Sequence, residues 1–548
     1  MNKRASKLML ATAAWVMAVF CGSCSRHETL AQQAMREGIL LVGNNSDPQT
    51  LDPQLVFSLS DFRISESLYE GLTIPDPKTL APRPGVAQSW EYDDKTLTWL
   101  FHLRTNAKWS NGDPVTAHDF VFSYRRMLTP ALGADYASML YPIKNAEAFN
   151  EGKLKDFAQV GVHALDDHTL QIQLEHPTSY FLSLCYHQTF LPVHPPTITK
   201  FGAFTRRDAG WDRPGTLVGN GPFTLTKYVL GDVVEVKKNP YYWNAANVRL
   251  NGIRFFPTYD INAEERMFRN GLLHVTYTLP PLKTAFYRDS HSPYFRVIPI
   301  YGHYFYTLNV RKPPLDDPRV RLALSLAIDR QALVDDVVKG GQSPAYSLTP
   351  PSAQYQSRAL LQENVAEAQR LLAAAGHPMG RGLPPIELTY NTSDLHRVIA
   401  EALQAMWKKN LGIDLRLVNV PAPEWLDRRR NANYQMIRAG WYADYLDPST
   451  FLELFRSGSE EEQSGWGDPA YDGFLDAAAK EIDPAKRMED FQQAEAILMK
   501  APPIIPLYFY STILLIRPEL RGYENNLLDM HPFDTMYFDP SATTAEAQ

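Results

Sequence analysis

Cysteine is scarce: three residues in 548, of which Cys21 and Cys24 lie within the first 24 positions and Cys185 alone lies in the rest of the chain. A disulfide framework is excluded, and stability has to come from packing. Long apolar runs are also lacking beyond residue 20, so no later segment is predicted to cross a bilayer. Positive charge is short, with 54 Lys and Arg against 61 Asp and Glu, a net charge of −7 and no basic block. Nucleic acid and anionic lipid surfaces are therefore not expected partners. The chain carries no G-x-S-x-G, H-E-x-x-H, Walker A or G-x-G-x-x-G signature, and its 14 histidines lack ligand spacing. No catalytic residue, metal or cofactor is expected.

The first residues read as an export signal. Lys3, Arg4 and Lys7 precede an apolar stretch from Leu8 to Phe20, the length of a signal core. Gly22-Ser23-Cys24 then resembles a lipobox, although Cys21 stands where that pattern prefers Leu. Residues 1–23 are expected to be a signal peptide, Cys24 to carry lipid, and residues 24–37 to form a polar tether. Losing Lys3, Arg4 and Lys7 makes the mature chain more negative still. Cys21-x-x-Cys24 also has a redox spacing, but it sits in the signal rather than at a strand–helix junction.

A chain this long exceeds one core, so two or three lobes are expected. Leu97, Trp99, Phe101 and Leu103 alternate as in a half-buried strand, as do Leu170, Ile172 and Leu174. Phe223 and Leu225, then Val234 and Val236 beyond Gly231-Asp232, predict a hairpin. Thr116 and Asp119 have the spacing of a capping box. From about residue 315 helical faces alternate with strands: Asp317-Pro318 opens one helix, Val365, Ala368, Leu372 and Ala375 mark another, and Ile399, Leu403, Met406 and Trp407 a third. Between them lie strand signals at Ile386–Tyr390 and Ile413–Leu417, which indicates an α/β lobe.

Ordered segments carry a resemblance. They are Glu66-Ser67-Leu68-Tyr69-Glu70-Gly71-Leu72, Pro84 to Trp90, Trp109 to Ala117 with Asp119-Phe120-Val121, Asn239-Pro240-Tyr241-Tyr242-Trp243, Asp317 to Arg321, Ala327 to Arg330, Asn391 to His396, and Arg438 to Tyr445. In this order they resemble the periplasmic oligopeptide-binding proteins of ABC importers, within the family 5 (peptide/nickel) extracellular solute-binding proteins. That resemblance implies an α/β, three-lobed periplasmic-binding-protein fold of the large class II type. Lobe I would comprise 38–69, 200–302 and 512–541, an inserted lobe II 70–199, and lobe III 303–511, with ligand enclosed between lobes I and III. It also implies a monomer in the periplasm, held to a membrane only by its lipid, that binds short peptides and hands them to permease subunits.

The resemblance further assigns residues. Asp444 would meet the peptide ammonium, and Arg438, Arg429, His396 and Lys339 would supply cationic positions for its carboxylate at different lengths. Gly440, Trp441, Tyr442, Tyr136, Tyr510, Phe57, Ser58 and Leu59 would pair with the backbone or line pockets. Phe57 replaces an acidic residue of the pattern, and Tyr442 a smaller one, which changes side-chain preference. Dipeptides, cell-wall peptides, haem or a metal chelate are alternative ligands on the same fold. The Arg438, His396 and Asp444 set argues against them, and the absent motifs argue against a peptidase.

Overall fold

The computed structural model describes residues 28–459 and 462–542. Three main sheets organise the chain, each with its own apolar core. In the first, Ile39–Gly43 runs parallel to Gly252–Phe256, followed antiparallel by Val233–Lys238 and Phe223–Val229. Leu40, Ile253, Phe255, Phe223 and Trp211 fill its core. The second is an antiparallel sheet of Ala87–Asp93, Thr98–Leu103, Thr169–Gln173 and Val162–Asp166, packed around Phe101, Trp109, Phe120 and Tyr124.

The third sheet has six strands. Three of them build the site: β1 (Phe295–Leu308), β2 (Met436–Tyr442) and β3 (Ile504–Leu515). β1 lies between β2 and β3, antiparallel to both. Ile386–Asn391 and Leu415–Val420 extend the β2 side in parallel, and Ser343–Pro344 borders β3. The helices Pro318–Leu326, Val365–Ala374 and Asp394–Leu411 cover this sheet, burying Leu324, Leu372, Leu403 and Trp407.

β1 and β3 pass continuously from the first core to the third. Ile298 and Leu514 belong to the first, and Tyr306 and Leu507 to the third. The register slips between Pro299 and His303, so the backbone bends where the cores part. The expected divisions at 302/303 and 511/512 thus fall inside continuous strands rather than in loops.

Several segments of the resemblance meet each other and form scaffold. Glu70 accepts hydrogen bonds from Tyr242 and from Trp243 (2.6 Å), and its backbone exchanges two bonds with Asn220. The Asp119 carboxylate accepts from Thr116 N–H (2.9 Å) and Trp109 Nε1 (3.1 Å). Burial outweighs the two donors at Glu70 and raises its pKa to about 8. The folded chain therefore holds a proton that the unfolded chain releases above the ordinary value of 4.5. The stabilisation is complete below that value and fades as pH rises towards 8, with a slope of at most about 1.4 kcal/mol per pH unit. Thermal unfolding of Glu70→Gln is expected to decline less between those limits than wild type; an identical decline would contradict this.

One expectation is corrected. Residues Leu30–Glu37, assigned to a tether, form a helix with Ala31 and Ala34 buried. Thr29 and Gln32 make a reciprocal capping box at its start, and Gly38 ends it in a left-handed conformation. Ala31 and Ala34, with the partly buried Leu30, dock it against Phe268 and Leu41. The expected signal and Cys24 lie outside the described residues.

Candidate functional site

The site grows from β2. Pleating sends Arg438, Gly440 and Tyr442 to one face and Ile437, Ala439 and Trp441 to the other. On the first face Tyr442 is 55% exposed and stacks on Tyr510 of β3, with ring centroids 4.4 Å apart and planes 1° from parallel. A β-carbon at Gly440 would lie 2.5 Å from Tyr510 Oη, and one at Gly302 2.7 Å from its Cδ2. The two glycines thus form a cradle that only an absent side chain permits.

Arg438 lies beside this ring. Its Nη2 donates to Tyr510 Oη (3.2 Å), and its guanidinium carbon sits 4.8 Å from the Tyr304 ring centre. Tyr304 stacks on Tyr508 at 4.8 Å, so Arg438 is packed among tyrosines. None of the described residues places a carboxylate within salt-bridge distance of Arg438, and its Nε is buried without a hydrogen-bond partner. A guanidinium cannot shed its charge in this range. The result is a cation at one end of β2 to which none of the described residues brings a counter-charge.

Trp425 joins a second cation to it. Its Nε1 donates to the Arg438 carbonyl (3.0 Å), and the guanidinium carbons of Arg429 and Arg438 each lie 6.0 Å from its ring centre. At the other end of β2 the chain continues to Asp444. The Asp444 N–H donates to Thr450 Oγ1 (3.5 Å), which also receives Trp441 Nε1 (3.3 Å). At the start of the helix Leu59–Leu68, Phe57 is 68% and Leu59 45% exposed, and the Phe57 ring lies 5.7 Å from Tyr136.

Residues 81–463 match the family model for the middle region of bacterial extracellular solute-binding proteins, family 5. The chain belongs to that family. It is 37% identical over 511 residues, 91% of both chains, to the periplasmic oligopeptide-binding protein OppA of Salmonella typhimurium. Its fold matches the murein tripeptide binding protein MppA of Escherichia coli with a TM-score of 0.78 at 36% identity, covering 91% of this chain and 98% of that one. It also matches Haemophilus influenzae OppA in complex with the peptide RPPGFSPFR, with a TM-score of 0.76 at 34% identity, covering 92% and 99%. The mixed α/β architecture is that of the family 5 periplasmic binding proteins.

Within this family 5 fold the assigned residues divide. Arg438, Gly440, Tyr442 and Tyr510 form one cluster, with Arg429 beside it through Trp425. His396 joins them: its Nδ1 lies 3.1 Å from Tyr304 Oη. Burial, then the charge of Arg438, press its pKa down to about 3. The ring is a neutral hydrogen-bonding group there. Lys339 is exposed, at the left-handed end of the turn after Leu333–Val338. Trp441 packs against the core of Phe451 and Leu452 on the opposite face from Tyr442, so it supports the strand more than it lines a pocket. Ser58 caps the helix Leu59–Leu68: its Oγ accepts Asp61 N–H and its carbonyl accepts Phe62 N–H. Its carbonyl is thus already committed to the helix, leaving less for backbone pairing with a ligand.

Residue reasoning missed Trp425, Tyr304 and Tyr508. Trp425 had a signal, four residues before Arg429 on one helical face. The two tyrosines had none, because only strand pairing brings them to Arg438.

Proposed function

We infer that this protein is a binding protein that captures short peptides in the periplasm and delivers them to an ABC importer, making and breaking no bond. One observation carries the reading: Arg438 on β2, to which none of the described residues brings a counter-charge, and Asp444 in the loop that continues β2 stand six residues apart. Six extended residues span at most about 20 Å, and a peptide of three to five residues spans about 10–17 Å. Side-chain reach fills the difference. An extended peptide laid along β2 would thus meet Asp444 with its ammonium and Arg438 with its carboxylate. Arg429 and Lys339 would serve longer chains, and Phe57, Leu59, Tyr136, Tyr442 and Tyr510 would face its side chains. Such a site pins the ends and leaves the sequence open.

The relatives' names agree, since Salmonella OppA is an oligopeptide-binding protein and the Haemophilus structure holds a peptide. In this reading residues 38–69, 200–302 and 512–541 move against 303–511 about the β1–β3 register slip, and 70–199 ride as the inserted lobe. The test is titration calorimetry of the mature protein with the tripeptide Ala-Phe-Ala, followed by mass spectrometry of the recovered peptide. Binding with intact recovery is expected; hydrolysis would overturn the reading.

The same reading has the protein act as a monomer tethered through lipid on Cys24. Cys24→Ala is expected to release it from membranes or block its processing. A wild-type mature protein that is fully soluble, with unmodified Cys24, would contradict the tether.

A further inference from the structure

Asp444 is followed at once by a contact with the opposite wall. The Tyr445 ring stacks face to face on Tyr180, with centroids 4.2 Å apart and planes 2° from parallel. Tyr180 and Tyr445 both pack against the second sheet's core, although Tyr445 is carried by the chain that continues β2. The next residue, Leu446, packs with Leu80 and Tyr186 of the same wall. Two aromatic faces at this spacing leave no room between them, whereas a peptide strand needs about 5 Å to each neighbour.

The loop is braced from behind. Ser449 Oγ donates to Asp447 Oδ1 (2.7 Å) and accepts from the Tyr445 hydroxyl (3.3 Å). Asp447 is buried and takes two bonds from Arg487, at 2.5 and 3.0 Å. Tyr445 is therefore held as part of a rigid corner and not as a loose cover.

We propose that the Tyr180–Tyr445 stack is the end wall of the ligand cleft, and that it makes the protein select peptides by an unextended N-terminus on steric grounds, independently of charge. Tyr180 and Tyr445 are on this account positioning and specificity residues: the stack sets where the first ligand residue stops, and Asp444 stands at that stop. This rests on the reading of Asp444 as the ammonium partner, and the two ideas separate experimentally. N-acetylation removes the charge. N-benzylation keeps it at about pH 6, below the usual α-amino pKa, but adds a ring beyond the nitrogen.

The experiment is calorimetry of the mature protein with Ala-Phe-Ala and its Nα-acetyl and Nα-benzyl forms. Wild type is expected to bind the benzyl form about 100-fold more weakly than the free tripeptide, as an overfilled site would. Tyr180→Ala, which removes the wall from the side that does not carry Asp444, is expected to narrow that gap to about tenfold or less, while Tyr180→Phe keeps it. Wild type binding benzyl and free forms alike would overturn the proposal, as would a gap unchanged in Tyr180→Ala. If Tyr180→Ala does not fold, Tyr180→Leu, which keeps bulk but loses the flat face, and the wild-type benzyl measurement decide in the same way. Acetyl and free forms binding wild type alike would instead refute the ammonium role of Asp444. No binding of the free tripeptide would overturn both.

Discussion

Asp444→Ala is expected to weaken peptide binding by roughly 30- to 4,000-fold while the protein stays folded. A closed cleft excludes water, so an ammonium carried into it meets an opposite charge or stays uncompensated. Removing one partner of such a buried pair typically costs about 2–5 kcal/mol. The backbone at Asp444 is held independently, its N–H on Thr450 and the preceding Ala443 N–H on the Tyr301 carbonyl, so the loop keeps its anchors without the carboxylate. Acetylating the peptide removes the same charge from the other side and should cost wild type a similar amount. The two changes together should cost far less than their sum. Full additivity in the calorimetric cycle would mean that the two groups do not meet.

Arg438→Met gives the second large effect, with opposite signs for binding and stability. The guanidinium is packed among Tyr304, Tyr508 and Tyr510, and among the described residues it has no carboxylate within salt-bridge distance and its Nε no hydrogen-bond partner. Leaving a charge in that state costs the unliganded protein. Methionine keeps length and packing but not charge, so the unliganded variant should unfold at the same temperature as wild type or higher. Peptide binding should fall by about 2–5 kcal/mol, because the ligand carboxylate is the missing counter-charge. Amidating the peptide C-terminus should weaken wild type similarly and leave Arg438→Met almost unaffected. A variant that is destabilised yet binds normally would show Arg438 to be scaffold alone.

The contrast between these two residues reflects what a linear pattern can carry. The hairpin Phe223–Val229 with Val233–Lys238 and the proline-led helix Pro318–Leu326 are local features, written in alternation and in an Asp cap whose carboxylate accepts the Arg319 N–H at 2.8 Å. They were legible. The Leu30–Glu37 helix was not, because its apolar face is short and made of Leu30, Ala31 and Ala34 within an otherwise polar segment. The identities of Arg438 and Tyr510 came from resemblance, but the absence of a counter-charge at Arg438 could not. It depends on which carboxylates fail to approach, a property of the whole fold. The lowered pKa of His396 was hidden for the same reason: it is set by burial and by Arg438, distant in sequence. Trp441 shows a parity effect. It is adjacent to Tyr442, yet in a strand adjacency means opposite faces, and its ring packs against the Phe451 core.

The central claim is that this cleft holds intact peptides by their two charged ends. Native mass spectrometry of the mature protein, purified without denaturation, followed by release and sequencing of the bound material, tests it most directly. The account predicts a mixed population of peptides a few residues long, varied in sequence, with free N- and C-termini. A single non-peptide ligand, or peptides blocked at the N-terminus, would contradict it.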